Sequence, residues 1–365
     1  MRNNTRQINI GGVRLGGGAP VVIQSMTNTK TEDSGATLRQ INELAEAGCE
    51  LIRVAVPDDA AAAKLPEIVR FSPIPVIADI HFDYRLALKA LDAGMPALRV
   101  NPGNLLKHDT EGRLVTAPLD VLARELLNHD ATVRIGVNSG SVEKDLLAKY
   151  GGPVPSALVE SALRHARLLE ERGVRNIKIS LKSSSVADTI AAYELMDAQT
   201  DYPLHVGVTE AGTLLRGAIK SALGIGSVLM RGIGDTIRVS LTADPVHEIE
   251  AAKEILRASG VRSVGPEIIS CPTCGRTRID LFRLADEVER HVRHIKSDMK
   301  IAVMGCVVNG PGEAREADIG LAGGIGKGVI FRRGEVIRSV NGEDALLSAF
   351  LEEIDRLEAE QRGPQ

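Results

Sequence analysis

Eight short β-rich runs recur along the first two-thirds of the chain, and this repeat constrains the fold more than any other feature. The runs are VVIQSM (21–26), ELIRVAV (50–56), PVIADIH (75–81), ALRVN (97–101), TVRIGVN (132–138), NIKISLK (176–182), PLHVGVTE (203–210) and TIRVSLT (236–242). Helix-like segments such as TLRQINELAEAG lie between them and end in Gly just before the next strand, as helices commonly do. This alternation predicts an α/β fold, a (β/α)8 TIM-type barrel. An open doubly wound sheet is the alternative, but no Gly-x-Gly-x-x-Gly follows the first strand.

The residues after the eighth strand predict a closing helix and then a smaller domain. The segment 243–260 has Asp244 as its N-cap, Pro245 at the first helical position and Gly260 after its end. The rest predicts a strand (266–270), a Cys-x-x-Cys turn, a helix (279–296), a strand (300–306), a Gly-rich loop, a hairpin around FRRGEV and a C-terminal helix. We therefore expect a barrel domain over 1–260 and an α+β domain over 261–365.

Polar side chains follow the predicted strands with a period of two. Those that share a face are Asp79 with His81; Arg99 with Asn101; Arg134 with Asn138; Lys178 with Ser180 and Lys182; and Arg238 with Ser240 and Thr242. The alternate positions are apolar. Because helices cover the outside of a barrel, the polar face should point to the barrel axis, and barrel enzymes keep their sites at the C-terminal ends of the strands.

Six cations on these strands indicate a polyanionic ligand. They are Arg53, Arg99, Arg134, Lys178, Lys182 and Arg238. Without a counterion they would repel each other, and Asp79 and Glu210 supply only part of the opposite charge. Arginine forks suit phosphate oxygens, so the pattern predicts a diphosphate or bisphosphate substrate. Glu210 is interpreted as a proton donor or hydrogen-bond partner of a substrate hydroxyl, or as a salt-bridge partner of a cation. Asp79 and His81 are assigned to the substrate or to its surroundings.

Composition excludes several other classes of protein. The net charge is −4 and aromatic residues make up 2% of the chain, which argues against a nucleic-acid-binding surface. No apolar run approaches the roughly 18 residues of a membrane span. The N-terminal segment has no apolar signal-peptide core, so we expect a cytoplasmic protein. Four cysteines argue against a disulfide framework and leave thiolates available for metal.

Three of the cysteines indicate a metal centre that lacks a fourth thiolate. Cys271 and Cys274 form a Cys-x-x-Cys pair, and Cys306 begins CVVNGPGEA. A structural zinc site would want a second pair or a following His pair, so an iron–sulfur cluster fits better. The fourth iron is then bound by an oxygen ligand or is open. Glu313 lies seven residues after Cys306, and a sharp turn between them could bring its carboxylate to this iron as an exchangeable ligand. Cys49 lies on the non-catalytic side of the barrel and is interpreted as a buried structural thiol.

Several long motifs resemble one enzyme family. ADIHFDYRLAL, LRVNPGN, RIGVNSGSVEKDL, TEAG, GIGDTIRVSLTADPV, CPTCGR and GCVVNGPGEA occur in order and are similar to those of 4-hydroxy-3-methylbut-2-enyl diphosphate synthase of the methylerythritol phosphate isoprenoid pathway. The resemblance covers essentially the whole chain and is to the two-domain bacterial form, in which a (β/α)8 barrel precedes a four-iron four-sulfur domain.

The resemblance implies a reaction and a set of site residues. The family reductively opens 2-C-methyl-D-erythritol 2,4-cyclodiphosphate and eliminates water, with two electrons arriving through the cluster from flavodoxin or ferredoxin. By motif, the cluster ligands would be Cys271, Cys274, Cys306 and Glu313. The diphosphate cradle would comprise Arg53, Arg99, Arg134, Asn138, Lys182, Arg238 and Ser240, with Glu210 beside the substrate hydroxyl and with Asp79, His81, Lys178 and Asn101 nearby. Residues 105–130 match the family least well.

Two other functions are considered. One is a redox-silent barrel enzyme of pterin-synthase type with a structural zinc appendage, and the other is an iron-sensing regulator with a vestigial barrel. The missing second Cys pair counts against zinc, and the barrel cations count against the regulator.

The sequence also predicts an obligate homodimer with shared active sites. The eighth helix should run back toward the N-terminal end of the barrel over about 24 Å. The short link SGVRSVGPE then leaves the cluster far from its own barrel mouth. Two chains arranged head-to-tail would place each cluster over the other barrel, and the family resemblance points the same way.

Overall fold

The structure is a computed structural model that describes residues 4–80, 83–100, 107–108, 114–115, 117–306 and 314–362. The chain forms two compact units, Met1–Arg262 and Ser263–Gln365. Among the described helices, none is both long and apolar enough to cross a membrane.

The first unit is a parallel barrel, as the sequence predicts. Its strands are β1 (Ile8–Ile10), β2 (Val13–Leu15), β3 (Val22–Met26), β4 (Leu51–Ala55), β5 (Val76–Ile80), β6 (Ala97–Val100), β7 (Lys107–His108), β8 (Leu114–Val115), β9 (Thr132–Asn138), β10 (Ile177–Lys182), β11 (His205–Val206) and β12 (Thr236–Ile237). Eight of them pair in the order β10-β9-β6-β5-β4-β3-β12-β11, with every pair parallel. A parallel bridge between Ile179 and Leu204 joins the two ends of this sheet. The predicted (β/α)8 fold is therefore confirmed.

Helices alternate with these strands along the chain. They are α1 (Ser34–Ala47), α2 (Asp59–Ala62), α3 (Leu65–Phe71), α4 (Tyr84–Asp92), α5 (Ala117–Asn128), α6 (Lys144–Tyr150), α7 (Pro155–Glu170), α8 (Val186–Asp197), α9 (Leu214–Ser221), a π-helical turn (Ala222–Gly226), α10 (Ser227–Met230) and α11 (Pro245–Ala258). Local signals set their ends. Asp244 caps α11 by accepting from the Val246 amide, and α1 ends at Gly48, whose φ of 107° suits glycine.

The last two barrel strands are shorter than the sequence predicts. Runs of eight and seven residues were expected at 203–210 and 236–242, yet β11 and β12 each contain two residues. Glu210 has a φ of 52°, which no extended strand allows. The ends of these runs therefore form the irregular rim of the barrel rather than more sheet.

A hairpin that the sequence did not predict covers one end of the barrel. Strands β1 and β2 pack Ile8, Ile10 and Leu15 against the first residues of the barrel strands, including Val22 and Leu51. The Thr132 hydroxyl donates to the Asn9 carbonyl, which fixes the hairpin to β9. The hairpin lies at the N-terminal ends of the strands, so the opposite end is the one available for a ligand.

The described residues of the second unit form a five-stranded sheet with two helices. Its elements are β13 (Glu267–Ser270), α12 (Leu281–Val292), β14 (Lys300–Met304), β15 (Ile319–Gly323), β16 (Lys327–Arg332), β17 (Glu335–Asn341) and α13 (Glu343–Arg362). Strands β13, β14 and β15 are parallel, whereas β16 and β17 are antiparallel to their neighbours. Both helices contribute to one apolar core through residues such as Leu284, Val288 and Phe350. The sequence predicted these elements except β15.

Candidate active site

The six predicted barrel cations lie inside the barrel. Arg53, Arg99, Arg134 and Lys182 are each at most 8% exposed, and Lys178 is fully buried. Arg99, Arg134 and Lys178 are register partners on three adjacent strands, so they form one row across β6, β9 and β10. Arg238 follows β12 and is also largely buried. The period-two pattern therefore identified side chains that converge on one interior.

Asp79 links two of these cations. One of its carboxylate oxygens lies 3.0 Å from Arg99 Nη1, and the other lies 3.4 Å from Arg53 Nε. Arg53 also contacts the sulfur of Met26, at 2.9 Å from Nη2. Burial lowers the pKa of Arg53 to about 9, and the Asp79 carboxylate opposes part of that effect. Asp79 thus holds the two arginine side chains and opposes part of their positive charge.

Arg134 and Lys182 have no ion-pair partner in the described part of the chain. The Nε and Nη1 atoms of Arg134 are buried and have no hydrogen-bond partner there. Burial, followed by repulsion from Arg53 and Arg99, lowers the pKa of Arg134 well below its ordinary value. Burial and then repulsion from Arg238 and Arg134 do the same to the pKa of Lys182. The N–H donors of Arg134 and Lys182 are shielded from solvent and lie near other cations, so a bound anion would satisfy them and offset the repulsion.

Lys178 lies deeper and has a weak partner. Its Nζ donates to Gln24 Oε1 at 3.4 Å, and burial followed by repulsion from Arg134 lowers its pKa well below the ordinary value. It lies in the same cross-strand row as Arg99 and Arg134 and is the most buried of the three.

Two glycines make room for the cations. A Cβ atom on Gly136 would lie 2.9 Å from Arg99 Nε, and one on Gly207 would lie 2.8 Å from Lys182 Nζ. Gly136 shares the inward face with Arg134 and Asn138, so the phase of the strand could have marked it as a site residue. Neither glycine was predicted as a site residue, because a pattern of polar side chains does not reveal a residue without a side chain.

The rim residues are more accessible than the cation row. Asn138 and Ser240 are half-buried, and Glu210 is exposed. Lys220 Nζ donates to the Glu210 carbonyl oxygen at 3.3 Å, which connects α9 with this rim. The left-handed backbone of Glu210 is unusual for a residue other than glycine, and strain of this kind is common at functional sites.

A buried carboxylate that was not predicted from the sequence lies next to Arg238. Glu248, on α11, is 5% exposed, and its Oε2 lies 3.8 Å from Arg238 Nε. The period of the strands could not reveal it because it lies on a helix. His81, Asn101 and Glu313 were also predicted as site residues, and they lie outside the residues that the structure describes.

The three predicted cluster cysteines follow the ends of two adjacent parallel strands. Cys271 follows β13, and Cys306 lies two residues beyond β14. The Gly305 amide lies 3.3 Å from Cys271 Sγ, so the two turns are in contact. Hydrogen bonds from the backbone and then the side chain of Arg276 lower the pKa of the exposed Cys274 thiol, which favours the metal-binding thiolate.

These thiols do not form a compact site for a single ion. Among the described residues, no group of three or more His, Cys, Asp or Glu side chains is close enough to hold one metal ion. A multi-iron cluster needs less compactness, because each thiolate binds a different iron. Soft thiolates on one edge of a sheet, with amides near the sulfur, are the donor set of iron–sulfur proteins.

Cys49 has different surroundings. It is 3% exposed, its Sγ donates to the Leu51 carbonyl oxygen, and burial raises the pKa of its thiol to about 12. A neutral buried thiol on the barrel is inert toward metals.

Comparisons with known proteins cover both units. The family model of the GcpE TIM-barrel domain matches residues 5–253, and that of the GcpE protein C-terminal domain matches residues 267–356. Among solved structures, an N-acetylneuraminic acid synthetase from Leptospira borgpetersenii is 13% identical with a TM-score of 0.50, covering 72% of this chain and 91% of that chain. That likeness concerns the barrel fold alone.

Curated relatives match over the full length. A protein of Lawsonia intracellularis is 57% identical over 365 residues, covering 100% of this chain and 99% of the relative. A protein of Maridesulfovibrio salexigens is 58% identical, with 99% of each chain covered. Both are named 4-hydroxy-3-methylbut-2-en-1-yl diphosphate synthase (flavodoxin), which gives no support to the pterin-synthase alternative. The resemblance stated from the motifs is confirmed, and the chain belongs to the GcpE family.

Proposed function

We propose that this chain catalyses the reductive ring opening and dehydration of 2-C-methyl-D-erythritol 2,4-cyclodiphosphate to 4-hydroxy-3-methylbut-2-enyl diphosphate. The reaction consumes two electrons and two protons and releases one water. Full-length relatives that carry this activity in their names support it. The observation that carries it is the barrel interior, where, among the described residues, six cations face the three buried carboxylates of Asp79, Asp235 and Glu248, an excess of positive charge that a diphosphate would neutralise.

The barrel residues bind and orient the substrate. Arg134, Arg99 and Arg238 present guanidinium donors to phosphate oxygens, and Lys182 adds a point charge next to them. Asn138 and Ser240 at the rim add neutral hydrogen bonds, and Lys178 and Asp79 hold the surrounding charges in place. Glu210 is exposed at the same rim, where it can hydrogen-bond a substrate hydroxyl or supply one of the protons. His81 and Asn101 remain proposed neighbours of the substrate.

The cysteine turns fit a four-iron four-sulfur cluster. We assign Cys271, Cys274 and Cys306 as its thiolate ligands and Glu313 as the fourth ligand. When bound, such a cluster supplies the two electrons. The amide near Cys271 Sγ and the Arg276 groups near Cys274 Sγ would stabilise negative charge on the ligating sulfurs.

The proposed partners are an electron donor and a second copy of the chain. Relatives are named as flavodoxin-dependent, so flavodoxin is the proposed donor here, with ferredoxin as the alternative.

An exposed apolar stripe supports the homodimer. On α9 and the π-helical turn after it, apolar side chains recur at four-residue spacing: Leu215 (73% exposed), Ile219 (54%) and Leu223 (58%). Such patches mark protein interfaces. Lys220 on this helix bonds to the Glu210 rim, so a second copy that binds to the apolar stripe would lie next to the barrel site. Its cluster could then complete that site. The cytoplasmic location remains a prediction from the sequence.

The direct test is turnover by anaerobically purified and iron–sulfide-reconstituted protein. With reduced flavodoxin and the cyclic diphosphate, we expect the allylic diphosphate to form, together with the absorption and electron-resonance spectra of an iron–sulfur cluster. Iron and zinc analysis of the same sample separates this proposal from a zinc protein. Protein with a full cluster that binds the cyclic diphosphate but leaves the ring closed would contradict the activity.

A further inference from the structure

The barrel closes where its first and last strands meet, and this seam is paired over a short distance only. Strand β12 pairs with β3 at Thr236–Val22 and Ile237–Ile23, and the pairing stops there. Strand β3 continues to Met26, while after β12 the chain keeps a sheet hydrogen bond on its other side only, from the Arg238 amide to the Val206 carbonyl oxygen of β11 at 3.0 Å. Arg238, a residue of the proposed diphosphate cradle, therefore begins where the sheet no longer fixes its backbone from the β3 side.

Glu248 spans the unpaired part of this seam. Its Oε2 accepts from Ser25 Oγ on β3 at 3.1 Å, and its Oε1 accepts from the Leu241 amide after β12 at 2.9 Å. The same Oε2 lies 3.8 Å from Arg238 Nε, an atom that has no hydrogen-bond partner among the described residues. One buried carboxylate thus contacts the first strand, the segment after the last strand and the cradle arginine.

The separation from Arg238 matters for the role of Glu248. At 3.8 Å the carboxylate attracts the guanidinium without taking its donors, so those donors stay available for a ligand. The two hydrogen bonds to Ser25 and Leu241 hold the carboxylate itself. An Asp or a more distant negative charge could also attract the Arg238 guanidinium. Glu248 in addition bonds to Ser25 on one side of the seam and to the Leu241 amide on the other, and so fixes the backbone that carries Arg238 and Ser240.

We propose that Glu248 is a positioning residue that orients Arg238 and the segment 238–241 for diphosphate binding, an inference that rests on the proposed function of the barrel. Two opposite expectations follow from the charge. If Glu248 acted only as a counterion, its neutralisation would raise the positive potential and strengthen anion binding. If it positions Arg238, neutralisation weakens anion binding even though the site becomes more positive.

The test compares Glu248→Gln, Glu248→Asp, Arg238→Ala and the double variant Glu248→Gln/Arg238→Ala. The probe is inorganic pyrophosphate, with its Kd measured by calorimetry on the full chain, and KM and kcat for the cyclic diphosphate are measured on the reconstituted enzyme. Glu50→Gln is the matched control. Glu50 also accepts from β3, at the Ile23 amide, and it binds Arg262, but it lies at the opposite end of the strands.

The expected result is a roughly tenfold rise of Kd and KM in Glu248→Gln, a smaller rise in Glu248→Asp, and no further loss when Glu248→Gln is added to Arg238→Ala. Glu50→Gln lowers the melting temperature and leaves KM unchanged. The proposal is overturned by tighter or unchanged binding in Glu248→Gln when Arg238→Ala weakens binding, or by additive losses in the double variant. Unchanged binding in Arg238→Ala would instead remove Arg238 from the cradle, and with it both the assigned site and the role of Glu248.

Discussion

Single side chains in the barrel interior are held in a state that favours ligand binding. Arg134 and Lys182 are buried beside other cations, and their pKa values are lowered because both burial and repulsion disfavour the charged form. A bound dianion reverses both effects, because it replaces lost hydration and opposes the neighbouring charges. The buried cations therefore destabilise the ligand-free fold, and the same cations are expected to contribute most of the binding free energy.

Replacement of Arg134 by Ala should weaken pyrophosphate binding by about 1.5–3 kcal/mol, the range for hydrogen bonds to charged groups. The interior donors of Arg134 have no other partner among the described residues, so nothing compensates their loss. Calorimetry measures the change, and the cluster spectrum should stay the same. Binding equal to that of the unsubstituted protein would return Arg134 to a purely structural role.

Anion binding should be coupled to proton uptake. The pKa values of Lys178 and Lys182 are lowered in the free folded state, and a bound anion raises them toward the ordinary value near 10.4. Between the lowered and the ordinary pKa, the complex therefore holds more protons than the free protein, so affinity falls as pH rises. Calorimetry with sulfate in two buffers of different ionisation enthalpy measures the uptake, since sulfate itself does not titrate there. Lys182→Met should reduce the uptake, and proton release on binding would refute the coupling.

Replacement of Gly136 by Ala should disturb Arg99. The added Cβ would lie 2.9 Å from Arg99 Nε and 3.3 Å from Ser180 Oγ, so the guanidinium that pairs with Asp79 must shift. We expect weaker pyrophosphate binding and a loss of about 1–3 kcal/mol in the free energy of unfolding, the usual cost of overpacking. Gly140→Ala, where the new Cβ has open space, is the control. Equal pyrophosphate affinity in both variants would show that Arg99 can shift without consequence.

At the scale of elements, strand ends decide where chemistry can occur. Because β13, β14 and β15 are parallel, their C-terminal ends share one edge, and this edge carries Cys271 and Cys306. In the barrel, Lys182 ends β10 and Arg238 follows β12, so these two cations also lie at the C-terminal ends of strands. The proposed sites in both units thus depend on strand direction rather than on the particular sequence of the helices.

The cysteines should separate into cluster ligands and a bystander. Cys306→Ala should lose the bound iron, because no other described thiol lies on this edge apart from Cys271 and Cys274. Cys49→Ala is the matched control, since that thiol is buried in the barrel with a raised pKa, and it should retain the iron. Iron analysis and absorption spectra of anaerobic samples measure both. Iron that is lost from Cys49→Ala and kept by Cys306→Ala would show that the ligand assignment is wrong.

The sequence predicted the regular part of these elements and missed what depends on tertiary geometry. The period of two identified the inward cations because alternation alone decides which face of a strand is buried. It could not show that β11 and β12 stop after two residues, since the φ of Glu210 is a local backbone choice. Glu248 escaped because its role depends on a seam between residues more than 220 positions apart, Ser25 and Glu248. The glycines escaped because an absent side chain leaves no polar signal.

At the scale of the whole molecule, the proposed homodimer predicts complementation. A Cys306→Ala chain and a Glu210→Ala chain should each be inactive alone, because one lacks a cluster ligand and the other lacks the rim carboxylate. If the sites are shared between chains, mixed dimers regain one intact site and part of the activity. Differently tagged chains allow mixed dimers to be purified and assayed. Confirmed mixed dimers with zero activity would mean that each site is built from one chain.

The buried cations of the barrel also determine how a more heat-resistant variant of this protein can be selected in the laboratory. Apolar replacements of similar volume at Arg134 or Lys182 would remove buried like charges and should stabilise the ligand-free fold. A screen that rewards only survival of heating would therefore enrich variants that have lost catalysis, the common conflict between stability and activity. If a polyanion is present during the screen, variants that keep the cations are favoured, because the bound anion stabilises their folded state. Directed evolution of a heat-resistant variant should accordingly be run on the liganded protein.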